Sequence, residues 1–129
     1  MVKQQFNPGS IVQVTNKTGK YIAEVVEWNS DRVLVKIIAV LRHPTQGDLH
    51  NPRQVNVVFH QRRALAYNEK TWVQPASVRL YEEEVPVYKD SLNKALETQI
   101  NQLKENGDKW SQKSIEMLED LKSDYFKNN

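Results

Sequence analysis

The nine residues Val33 to Leu41, VLVKIIAVL, restrict the fold more than any other stretch of the chain. A strand sends alternate side chains to opposite faces. Here Val33, Val35, Ile37 and Ala39 occupy one face, while Leu34, Ile38 and Val40 occupy the other. A strand that is apolar on both sides needs cover on both sides. The fold must therefore place this segment in a sheet with a core beneath it and a second layer above it.

The surrounding sequence supplies the sheet. Ile11 to Val14, Tyr21 to Trp28, Gln54 to Phe59, Ala64 to Tyr67 and Thr71 to Val73 read as further short strands, with turn chemistry at Asn16-Lys17-Thr18-Gly19 and Asn29-Ser30-Asp31. Five or six short strands without a helical period predict a small, partly open β-barrel of SH3-like size over residues 1–81. Glu82-Glu83-Glu84 and Pro86 end the β pattern, so residues 82–89 read as a linker.

The last third supplies the second layer. Leu92, Ala95, Leu96, Ile100 and Leu103 recur at helical spacing behind Asp90 or Ser91, either of which can serve as N-cap. Asn106-Gly107-Asp108 offers a left-handed C-cap, and Ile115, Leu118, Leu121 and Tyr125 mark a second helix with Ser111 as its candidate cap. Residues 90–129 thus form an antiparallel helical hairpin, expected to lay its apolar stripe on Val33 to Leu41 and to make one compact unit with the barrel. The competing placement leaves the stripe exposed for a partner or for a homo-oligomer.

At 129 residues the chain is long enough to bury a real core, and 39% hydrophobic with 26% charged residues excludes a disordered or fibrous class. It has no cysteine, which removes disulfides, thiolate metal sites and thiol nucleophiles. No stretch approaches the ~20 apolar residues of a membrane span, and the expected location is the cytoplasm. The charge is uneven: residues 1–80 carry 11 Lys/Arg against 5 Asp/Glu, and residues 81–129 carry 7 against 11. That asymmetry fits either complementarity between two packed parts or a front that binds polyanions.

Candidate chemistry concentrates in 41-LRHPTQGDLHNP-52. Two imidazoles and a carboxylate, His43, Asp48 and His50, are ligand types that can hold a metal ion. The prolines and the glycine, however, mark a stiff connection between strands, in which such groups hydrogen-bond the loop to itself. Arg62 and Arg63, with Arg42 and Arg53, offer guanidinium groups suited to carboxylates or phosphates, or to internal pairing with Asp48 or Glu82 to Glu84. We take Arg42, His43, Asp48, His50, Arg62 and Arg63 as a candidate recognition surface, with no catalytic residue, cofactor or resident metal expected. Thr18-Gly19-Lys20 lacks the remaining residues of a phosphate-binding loop, and no nucleophile elbow or H-E-x-x-H motif occurs. Two alternatives accompany a non-enzymatic interaction protein. One is a nucleic-acid-binding barrel using Trp28, Trp72, Tyr21, Tyr67 and Phe59, disfavoured because alternation sends most of these inward. The other is a small metal-binding protein built on His43, Asp48 and His50.

Gly19-Lys20-Tyr21-Ile22, His43-Pro44, Gln46-Gly47-Asp48-Leu49-His50, Arg62-Arg63-Ala64-Leu65-Ala66 and Ala95-Leu96-Glu97-Thr98-Gln99 together resemble the kinase-associated lipoprotein B family of Bacillus-type bacteria. The likeness extends over nearly the whole length. It implies an SH3-like barrel with a helical extension and a positive regulator of a membrane sensor histidine kinase in the sporulation phosphorelay. The family name implies a lipid anchor, but this chain has no cysteine to acylate, so membrane recruitment is expected through the kinase partner.

Overall fold

The computed structural model describes residues 6–47 and 59–127. Strands β1 (Ile11–Asn16), β2 (Gly19–Trp28), β3 (Val33–Arg42), β4 (Lys70–Val73) and β5 (Val78–Leu80) form one antiparallel sheet in the order β4-β3-β2-β1-β5. Helices α1 (Tyr88–Asn106) and α2 (Lys109–Tyr125) follow. An open five-stranded antiparallel sheet followed by two C-terminal helices is the mainly β architecture with a helical extension that the sequence predicts.

The β1–β2 turn is tight, with Asn16 opposite Gly19 and Lys17 at φ 54°. Gly19 is required there by space: a Cβ would stand 2.6 Å from the Tyr21 hydroxyl. The β2–β3 connection closes through the Asn29 amide, which donates to the Arg32 carbonyl. Irregular register between Lys20 and Tyr21, between Ile22 and Ala23, and between Val25 and Glu27 bends β2 against β3.

Val33, Val35 and Ile37 are wholly buried with Val12, Val14, Tyr21 and Val25. The register irregularity at Ile38 then exchanges the sides that simple alternation expects: Val40, opposite Tyr21, is buried on the face of Ile37 and Ala23, while Ala39, opposite Ile22, is buried on the other face beside half-buried Leu34. Helix α1 packs along β3, burying Leu92, Ala95, Leu96, Ile100 and Leu103 in one core with Ile37 and Val40, which Leu118 of α2 joins. A side-chain bond fixes the docking: the Val40 amide donates to Ser91 Oγ (2.9 Å), whose own hydroxyl donates to the Tyr88 carbonyl.

That use of Ser91 corrects the expected helix start. Helix α1 begins at Tyr88, with Val87 as an N-cap that makes no side-chain cap bond. Pro86 holds the entering chain extended, and the Ser91 amide already donates to the Val87 carbonyl. Neither Asp90 nor Ser91 is the cap. At the other end Gly107 takes φ 70° and closes the helix on the Leu103 carbonyl. Asp108, and not Ser111, caps α2 by accepting from the Ser111 amide at 2.8 Å.

Residues 54–58 lie outside the described residues. Ala64 to Tyr67 is not a strand, although its alternation resembles one. Its backbone bonds go to side chains instead of to a neighbouring strand. Ala64 N–H donates to the Tyr125 hydroxyl (2.9 Å), Leu65 N–H donates to the Tyr21 hydroxyl (3.2 Å), and the Tyr88 hydroxyl donates to the Leu65 carbonyl. Tyrosines from β2, α1 and α2 therefore clasp one extended segment.

Candidate interaction surface

The predicted site residues separate in space, and His43 shows why. It has no exposed surface. Nδ1 lies 3.0 Å from the Pro44 carbonyl, which can only accept, so Nδ1 carries the proton; Nε2, 2.9 Å away from Tyr125 Oη, then accepts from that hydroxyl. A relay runs from Ala64 N–H to Tyr125 Oη–H to His43 Nε2, and from His43 Nδ1–H to Pro44. Burial holds the imidazole pKa down at about 4, with the Arg63 charge acting in the same direction against the Pro44 carbonyl. The phenols of Tyr21, Tyr88 and Tyr125 are all pushed above their ordinary value by burial. His43 is a neutral internal strut, where a surface contact was expected.

Gln46, also buried, makes the next tie. Its Nε2 donates to the Pro44 and Arg62 carbonyls, and its Oε1 accepts from the Arg62 amide. The Gly47 amide donates to the His60 carbonyl, and Arg62 Nε donates back to the Gly47 carbonyl. One stub of the polar loop is thus sewn to residues 60–62, and Arg62 spends its guanidinium in the seam. Sequence reading placed no weight on Gln46; a glutamine between Pro44 and Gly47 carries no signal that it will be buried.

Arg63 pairs with Asp124 at 2.7 Å and lies over the Tyr125 ring, 4.9 Å from its centroid. Of the partners anticipated, Asp48 lies outside the described residues and Glu82 to Glu84 are not used; Arg63 takes one on α2 instead. Hydrogen bonds from Arg63 and Lys127 hold the Asp124 carboxyl below its usual range. This pair and the bond from Gln61 Nε2 to Asp120 Oδ2 join the basic front to the acidic back. Arg42 is exposed on another side of the molecule, so the arginines do not line one rim. Asp48, His50 and Arg53 lie outside the described residues. Among the described residues no three His, Asp or Glu side chains gather to hold a metal ion.

The aromatics considered for nucleic acid do not share a face. Tyr21 is buried, Trp28 packs edge-on to Phe6, and Arg32 stacks 3.9 Å from the Trp72 ring.

What the clasp does create is an apolar concavity of about 990 Å³ between Ala64 to Tyr67, Val85 to Tyr88 and the end of α2 at Tyr125 and Phe126. Ile38 of β3 and Leu92 of α1 also reach it. Three of its residues are conspicuously wet: Val87 is 68% exposed, Tyr67 58% and Val85 40%. Scattered apolar residues on a surface are ordinary, but several lining one hollow mark a contact surface. Arg63 and Glu69 stand at its edge. The sequence missed this hollow because its walls come from segments read as a strand, a linker and a helix end.

A family model described as "Kinase associated protein B" matches residues 16–126. The chain is 44% identical to "Kinase-associated lipoprotein B" of Bacillus subtilis (strain 168) over 122 residues, covering 94% of this chain and 95% of that protein. Its structure is similar to the crystal structure of kinase-associated protein B from Bacillus cereus, with a TM-score of 0.81 and 40% identity over 94% of this chain and 98% of the other.

Proposed function

The chain belongs to the kinase-associated protein B family, and from that membership and the geometry above we propose that it is a non-enzymatic partner of a sensor histidine kinase. The apolar hollow beside Val87 carries this reading, because a surface of that character in a kinase-associated family has a protein as its natural occupant. The kinase is one that feeds the sporulation phosphorelay, and the regulation is positive. The chain acts from the cytoplasm and reaches the membrane through the kinase; no helix among the described residues is long and apolar enough to cross a bilayer.

Of the polar residues singled out in the sequence, Arg63 borders the hollow and contributes to recognition there. His43 and Arg62 support it from within. The test is autophosphorylation of purified sporulation sensor kinases with the chain added. Acceleration by the wild type, lost with Val87→Asp, supports the proposal. A kinase that binds the chain and shows an unchanged rate refutes positive regulation.

A further inference from the structure

On the other side of α1 lies a second, more polar groove of about 1000 Å³, and the reading above leaves it without a role. Its sheet wall carries Lys20 and Arg42, which are directly opposite each other across β2 and β3. Like charges in facing positions of a ladder repel and destabilise it. Lys94 adds a third cation from α1. All three are exposed, and none has an ion-pair partner among the described residues.

The remaining lining shows what kind of anion suits the groove. Asp90 and Glu84 stand in the part nearer the start of α1, and they favour an occupant with its negative charge at the cationic wall and a donor or cation beyond. Farther along α1, Thr98, Gln102 and Asn106 present hydrogen-bonding side chains, and Leu41 is a 38% exposed apolar contact. From Asp90 to Asn106 the groove follows the helix for about 24 Å at 1.5 Å per residue. That length matches roughly seven residues of extended chain. A single small anion uses only the cationic end, and a membrane surface does not enter a groove. An acidic polypeptide uses the cations, the amides and the apolar contact together.

We propose that this groove seats an acidic segment of a protein partner, its carboxylates held between Lys20, Arg42 and Lys94. This contact is separate from the apolar hollow and does not require the partner to be a kinase. The test uses the full chain labelled for NMR and a peptide of about seven alternating glutamate and leucine residues. Comparison probes are the matching lysine–leucine peptide, inorganic phosphate, and vesicles containing phosphatidylglycerol. Saturable shifts at Lys20, Arg42, Lys94, Thr98 and Gln102 with the acidic peptide are expected, weakening several-fold as salt rises from about 50 to 200 mM. Lys20→Ala with Arg42→Ala should lower the affinity about tenfold without lowering the melting temperature, since it also removes a like-charge pair from the ladder, while Val87→Asp leaves the affinity intact. Absence of groove shifts, equal binding of the lysine peptide, or the same shifts from phosphate or vesicles alone would overturn the proposal.

Discussion

Lowering the pH from 7.5 to 5.0 should destabilise this protein through His43. Its folded pKa of about 4 lies below the ordinary 6.5 because it is buried as the neutral tautomer. Between those values the unfolded chain takes up a proton that the folded chain refuses, so stability is complete above pH 6.5, falls as pH drops towards 4, and levels off below that. At ~1.4 kcal/mol per pKa unit the full effect is about 3 kcal/mol, and about 2 kcal/mol of it is lost by pH 5. That is a large share of the ~5–15 kcal/mol that a domain of this size commonly has. Asp124 acts in the same direction, since hydrogen bonds from Arg63 and Lys127 hold its carboxyl low, but its contribution is lost only as pH falls into the ordinary carboxylate range and below. Urea denaturation of the wild type and His43→Gln at both pH values isolates the histidine. The variant starts less stable, because it loses the fit to Pro44 and Tyr125, yet it should lose about 2 kcal/mol less on acidification. Parallel losses in the two proteins would refute the buried, neutral assignment.

Tyr125→Phe removes one hydroxyl and leaves both the Ala64 amide and His43 Nε2 unpaired; a cost of about 2–4 kcal/mol is expected in urea denaturation, with amide exchange at Ala64 accelerated. Ser91→Ala deprives the buried Val40 amide of its acceptor and should cost about 1–2 kcal/mol, read as a lowered denaturation midpoint with unchanged slope. Gly107→Ala forces a side chain into φ 70° although space is available, so a loss of about 1 kcal/mol in thermal or urea melts is expected from backbone strain alone.

The architecture was legible where one physical requirement dominates. Val33 to Leu41 demanded cover on two faces, and the 3.6-residue recurrence of Leu92, Leu96 and Leu103 supplied the covering helix. Gly107 was legible because a left-handed C-cap favours glycine. Reading failed where a side chain replaces backbone pairing. Ala64 to Tyr67 has the alternation of a strand, but hydroxyls from residues 21, 88 and 125 satisfy it, and separations of more than twenty residues leave no local trace. His43 failed for the same reason: its type suggests chemistry, while its partner, Tyr125, lies 82 positions away. The apolar hollow belongs to no single element, so only the assembled fold reveals it.

The proposed contact between the apolar hollow and a sensor kinase is tested most directly by calorimetric titration of purified sporulation sensor kinases with the wild-type chain and with Val87→Asp. Val87 is 68% exposed and stands at the N-cap of α1 without a side-chain cap bond, so the substitution should leave the melting temperature unchanged or raise it. Burying a valine is worth about 1.5–3 kcal/mol, so at least one kinase should bind the wild type and bind the variant at least about tenfold more weakly. Equal affinity for both proteins, or no kinase bound by the wild type, would contradict the account.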